Sequence, residues 1–276
     1  MRMTATTVAL FTAAGFGVEA QQSTESRGWS GFHAGVTVGD GSPDNDGGGI
    51  VFDNTLDGNF GDIVRTAAGA DAFSPGFCGG AARTALPAAG CDGDDGGAEY
   101  SLRGGYDWQL GSLVLGVSGE YSKFDTRDSV SAFSTTPAFY TMTRELDYAV
   151  SIQGRFGRAF GNDAWLPYLK AGVTRMRIDN SFSTSNAANT FVQRGASQQD
   201  GTQLGAGIER RINERLTVGA EYLRTQIDDQ DFRVRATRGA APATNPFVLV
   251  NPEGTDFART DDQFVESWRV TASMRF

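Results

Sequence analysis

WRVTASMRF, Trp268–Phe276, is the stretch on which the fold turns. Trp268, Val270, Ala272, Met274 and Phe276 alternate with Arg269, Thr271, Ser273 and Arg275. Side chains on a strand point to opposite faces with a period of two, so one face of this segment suits hydrocarbon and the other a polar interior. Trp268, Val270, Met274 and Phe276 form the apolar side of a terminal strand that ends on an aromatic carboxylate.

Working back from that end, the same alternation recurs seven times. It runs from Trp29 to Asp40, Glu99 to Leu110, Leu113 to Phe124, Glu145 to Arg158, Trp165 to Ile178, Thr202 to Ile212 and Arg215 to Ile227. The fifth of these is the least regular, because the face carrying Leu169, Ala171 and Val173 continues into Arg175 and Arg177; either a bulge re-registers it or the arginines lie at the membrane rim. Gly111 and Ser112, then Gly161 to Asp163, then Asn213 and Glu214 make three tight turns. Residues 41–97, 125–143, 179–201 and 228–262 make four long polar connections. Strict alternation of short and long puts every tight turn at one end of an up-and-down barrel, facing the periplasm with both termini, and every long loop outside. The expected fold is all-β, an eight-stranded antiparallel transmembrane β-barrel with long extracellular loops.

Composition agrees. A net charge of -9 argues against a nucleic-acid partner, which requires clustered Lys and Arg. Mean hydropathy is -0.31 and no stretch approaches the ~18 apolar residues of a spanning helix, so a membrane location implies strands. The 36 glycines suit a curved wall with many turns. Arg2, the apolar Val8–Val18 and the Val18, Glu19, Ala20 site read as a signal peptide over residues 1–20, which leaves a barrel domain at residues 21–276. Cys78 and Cys91, close together in the polar first loop, are expected to form a disulfide that shapes the loop; their spacing matches no zinc pattern.

With the apolar faces toward lipid, the lumen is expected to collect Glu99, Arg103, Asp107, Glu120, Asp147, Arg155, Lys170, Glu209, Glu221, Arg269 and Arg275. An eight-stranded barrel is only just wide enough for its own side chains, so these charges are expected to pair into a salt-bridged plug. Tyr106, Trp108, Tyr121, Tyr148, Trp165 and Tyr222 read as an aromatic girdle. The sole histidine, His33, lacks any spacing that marks a catalytic partner, and the residues suggest no catalytic, cofactor or metal site.

The segments WSGFHAGVTVG, WQLGSLVLGVSGEYS, LGAGIERRINERLTVGAEYLRT and WRVTASMRF resemble the small porin-like outer-membrane proteins of alphaproteobacteria. These form the outer-membrane protein β-barrel family that includes immunogenic surface proteins with an OmpA-type eight-stranded barrel. The resemblance implies integral residence in a Gram-negative outer membrane, contact with outer-membrane lipid and lipopolysaccharide, and delivery by the barrel assembly machinery through the C-terminal strand. It implies a structural or surface-antigen role and, in some members, weak porin activity. The reading from sequence is therefore a non-enzymatic barrel for envelope integrity and surface interaction. Its alternatives are a narrow porin for ions or small solutes, or an adhesin acting through the loops with Phe73, Phe77, Phe139, Tyr140, Phe232 and Phe247 as exposed contacts. A homo-oligomer or surface array stays open.

Overall fold

The computed structural model describes residues 28–43, 49–94, 96–227, 232–260 and 263–276; the expected leader lies outside them. Eight long strands form the wall: β1 (Gly31–Pro43), β2 (Gly97–Leu110), β3 (Leu113–Ser134), β4 (Ala138–Arg158), β5 (Trp165–Thr184), β6 (Gln198–Arg211), β7 (Leu216–Ile227) and β8 (Gln263–Arg275). Each pairs antiparallel with its neighbours in sequence. β8 also pairs with β1, from His33 opposite Arg275 to Pro43 opposite Val265, so the pairings run in a ring and leave no strand edge along the wall.

The turn end follows from local chemistry. Gly111, at φ 63°, takes the first central position of the two-residue β2–β3 turn, where a side chain would be strained. Asn213 accepts hydrogen bonds from the backbone N–H groups of Arg215 and Leu216 and thereby closes the β6–β7 turn.

At the loop end the strands run further than alternation alone indicates. β3, β4 and β5 have 22, 21 and 20 residues, and only Thr135 to Pro137 separate β3 from β4. The expected second loop is thus a hairpin rising above the barrel. A bulge marks the transition, with Phe124 and Asp125 of β3 opposite Asp147 alone on β4, and Asp147 without a partner on β5. One extra residue reverses the inside and outside faces beyond it.

The remaining loop segments fold over this rim. Thr190–Arg194, Arg233–Thr237, Thr255–Arg259 and Ile50–Asp53 form a four-stranded antiparallel sheet in that order. Gly76–Gly79 adds to the upper part of β3, and Cys78 and Cys91 are joined by a disulfide with Cα atoms 6.4 Å apart. Beneath the sheet, Phe52, Phe73, Met142, Val234, Phe247 and Phe257 pack in one buried cluster with Tyr140. Phe52 stacks on Phe73 at 4.3 Å between centroids and meets Phe257 edge-on at 4.9 Å. Each buried aromatic contributes about 1.5–3 kcal/mol, enough in sum to order segments that look like polar loops in sequence.

Candidate functional site

Every wall strand sends alternate residues inward, and these side chains form layers along the barrel axis. Nearest the turn end, Asp107 of β2 accepts hydrogen bonds from Arg155 Nε at 2.8 Å and Arg275 Nη2 at 2.7 Å. Arg155 also donates to Glu209 at 2.9 Å. Gly116 of β3 makes this cluster feasible, since a Cβ there would lie 2.1 Å from the Asp107 carboxylate. His33 Nε2 lies 3.7 Å from Asp107 Oδ2, buried. Trp29 floors the layer, wholly buried, with the guanidinium groups of Arg211 and Arg275 over its ring at 4.9 and 5.1 Å.

One layer up, Arg269 donates to Glu99 and Glu120 at 2.7 Å each and also to Glu221. Glu221 further accepts from Lys170 at 2.9 Å and from the Tyr168 hydroxyl at 2.7 Å, and Arg103 lies 3.1 Å from Glu120 and 3.2 Å from Glu221. Five cations, Arg103, Arg155, Lys170, Arg269 and Arg275, thus face five carboxylates, Glu99, Asp107, Glu120, Glu209 and Glu221, each with side-chain exposure of 8% or less. Above the charges comes a layer of hydroxyls and amides. Gln153 donates to Gln203 at 2.6 Å, Gln203 to Thr225 at 3.2 Å and Ser151 to Thr174 at 2.9 Å. Above that, Leu146, Ala149, Met176, Ile178, Ile227 and Val265 form a buried apolar cluster, against which Phe124 packs, with Thr126 and Gln199 buried opposite Leu146 and Met176.

Of the residues expected in the lumen, the structure brings ten together and places Asp147 elsewhere. Asp147 is the extra residue of the β4 bulge; it lies outside the wall, 3.0 Å from Lys123 and 3.7 Å from Arg177. The same bulge turns Leu146, expected to face lipid, into the apolar cluster. Arg175 and Arg177 continue the outward face of β5 without a bulge in their own strand and take the rim alternative. Tyr168 is a lumen residue missed in sequence, although its spacing from Lys170 places both on one face.

Outside, apolar side chains cover the wall. On the terminal strand Trp268, Val270, Met274 and Phe276 are 70, 66, 50 and 78% exposed. The aromatics fall into two bands: Tyr106, Trp108 and Trp165 toward the turns, and Tyr121, Tyr148 and Tyr222 toward the loops, where Tyr121 pairs with Tyr148 and Tyr222 with Trp268. The loop aromatics correct the expected contact set. Phe73, Tyr140, Phe232 and Phe247 are buried in the cap, Phe139 is half-buried, and Phe77 alone of the six is exposed. Among the described residues no group of three or more His, Cys, Asp and Glu could hold a metal ion.

The sequence profile of the outer membrane protein beta-barrel domain matches residues 7–239. This chain belongs to that family. As an outer-membrane β-barrel of this family it is an integral outer-membrane protein. It is similar to the 31 kDa outer-membrane immunogenic protein of Brucella melitensis, 24% identical over 138 residues, which is 50% of this chain and 57% of the relative. The Brucella suis protein of the same name matches to the same extent, so the match spans little more than half the length of either relative. In three dimensions the chain is similar to the outer membrane protein OprG from Pseudomonas aeruginosa, with a TM-score of 0.53 and 13% identity over 91% of this chain and all of that one. A likeness at that identity speaks of fold alone.

Proposed function

We propose that this protein is a non-conducting, non-enzymatic structural barrel that contributes to envelope integrity and presents a folded cap for surface interactions, with its turns and termini on the periplasmic side. What supports this reading is the filling of the lumen. A passing ion would have to part five buried cations from five carboxylates and then pass the buried apolar cluster of Leu146, Ala149, Met176, Ile178, Ile227 and Val265. Leaving one buried charge without its partner costs roughly 3–5 kcal/mol, so a transient path through the network is strongly disfavoured. His33 supports the non-enzymatic reading, because it is buried beside Asp107 and two arginines.

Planar-bilayer recording of the refolded full chain tests the proposal. The expected trace is flat at potentials where porins give steps. Stable single-channel steps whose size changes in Glu120→Gln or Arg269→Gln would replace this reading with the narrow porin.

A further inference from the structure

Ahead of β1 the chain leaves the wall and turns in across the mouth of the barrel. Gly31 makes the corner: its φ is 129°, and a Cβ on it would lie 2.6 Å from the Phe276 carbonyl oxygen. Residues 28–30 lie outside any strand, so no ladder satisfies their backbone groups. Wall side chains and one strand-end N–H take that place. The Trp29 N–H donates to Gln109 Oε1 of β2, and the Trp29 carbonyl accepts from Arg275 Nη2 of β8. The Gly28 carbonyl accepts from Arg211 Nη2 of β6 at 2.6 Å, and Ser30 Oγ accepts the Gln109 N–H at 2.8 Å.

The Trp29 ring packs in one buried cluster with Val114 of β3, Ala159 just beyond β4, and Leu166 and Tyr168 of β5. Its indole N–H meets no acceptor among the described residues, so the ring is held by packing and by the two guanidinium groups over it. The partners of this short segment thus come from β2, β3, β5, β6 and β8, as far as 246 residues away in sequence. Only a complete ring brings them to one place. Contacts of such long sequence separation form late, after the intervening chain has closed. The segment also runs directly into the seam between β8 and β1, where the Phe276 N–H donates to the Phe32 carbonyl at 2.9 Å beside the corner. Arg275 of β8 binds both the Trp29 carbonyl and Asp107 of β2, and so straddles β1 from inside.

We infer that residues 28–30 are a clasp that docks after the ring has closed and holds the β8–β1 seam shut from the turn end. A ladder opens first at its ends, and here the turn end of the seam cannot part without drawing Trp29 out of its cluster and Arg275 off its carbonyl. An interaction made after the folding barrier slows unfolding and leaves the folding rate alone. The clasp therefore sets how slowly the barrel opens. It is independent of whether the lumen conducts.

The test follows folding and unfolding of the full chain in lipid vesicles, with heat-modifiable gel migration counting folded molecules over time. Trp29→Ala is expected to unfold roughly a hundredfold faster and to fold within about threefold of the wild-type rate. Trp29→Phe, which keeps a ring in the cluster, carries the measurement if the alanine variant gives no folded band; its unfolding should be about tenfold faster. Both are repeated with the seam tied by a Val36→Cys/Ala272→Cys bridge, residues that face each other across β1 and β8 on the outer wall, with peptide mapping to confirm this bridge and Cys78–Cys91. Tying the seam should reduce the Trp29 effect to less than about threefold, while Leu166→Ala, a change in the same cluster on β5, speeds unfolding with or without the tie. An unfolding rate unchanged by Trp29→Ala or Trp29→Phe overturns the clasp. A Trp29 effect that survives the tie makes the ring ordinary packing, a matching loss of folding rate places its docking before ring closure, and loss of the Leu166→Ala effect in the tied barrel shows that the tie alone controls opening; each of these overturns the inference.

Discussion

Arg269 is the most heavily engaged cation of the lumen, bound to Glu99, Glu120 and Glu221 from three different strands. Arg269→Ala leaves Glu99 without a cation among the described residues, and Glu120 and Glu221 with only Arg103 and Lys170 to share. We expect a loss of about 3–5 kcal/mol, read as a lower urea midpoint for unfolding from lipid vesicles; an unchanged midpoint would show that the network is not stabilising. At the barrel–cap junction Asp94 accepts the Ser129 backbone N–H at 2.6 Å, and burial, reinforced by the neighbouring Asp128, pushes its carboxyl up to about 6. A raised carboxyl favours the protonated folded form. Asp94 therefore supports the junction fully below its ordinary value of 3.8, and that support is lost as the pH rises to about 6. Amide exchange at Val130 and Ser131, corrected for its intrinsic pH dependence, should accelerate across this window in the wild type and stay flat in Asp94→Asn. At this scale ten of the eleven charges expected in the lumen come together and Asp147 does not, because period two is a backbone property that a bulge interrupts. Tyr168 escaped notice because its ring disguises a polar role.

The limits of alternation appear at the level of elements. Between Asp125 and Thr143 the residues are polar and rich in Ser and Thr, which reads as a loop, yet Ser129 faces Thr143 and Ser131 faces Thr141 in hydroxyl pairs at 2.9 and 2.7 Å. Ser131 also accepts the Ala82 N–H and donates to the Gly80 carbonyl of the disulfide segment. A strand whose partners are another polar strand and a folded loop has no lipid face, so its sequence carries no alternation of polarity. Asp147 departs from the expected placement for a related reason, since the bulge shows only in how β4 pairs with both of its neighbours, which alternation within one strand does not record. The disulfide holds the 76–92 segment against β3. Cys78→Ser/Cys91→Ser should release that segment, at about 3 kcal/mol of local stability in the chain-entropy view, and leave the barrel intact. Trypsin cleavage after Arg83 in the variant, with heat-modifiable migration preserved, is the expected result; loss of the folded gel band would contradict a role confined to the loop.

Across the whole molecule, barrel and cap have separate cores. The barrel holds a polar interior within an apolar coat, and the cap holds an apolar interior built from all four long connections. Phe257, wholly buried, touches Phe52, Phe73, Tyr140 and Phe247. Phe257→Ala should weaken the cap by about 3–5 kcal/mol and expose its strands to proteolysis without shifting the urea midpoint of the barrel. A coupled loss of both would show one cooperative unit. The sequence by itself determined the strand count, the sidedness of turns and loops, the solvent of each wall face and most of the lumen charges, because each is written in a local period of two or in a turn. Only the tertiary structure decided that the loops form a cap, that Asp147 stands outside, and that an apolar cluster packs above the lumen charges. These depend on contacts between residues far apart in the chain, where burial is set by what arrives opposite and local pattern carries no record of it.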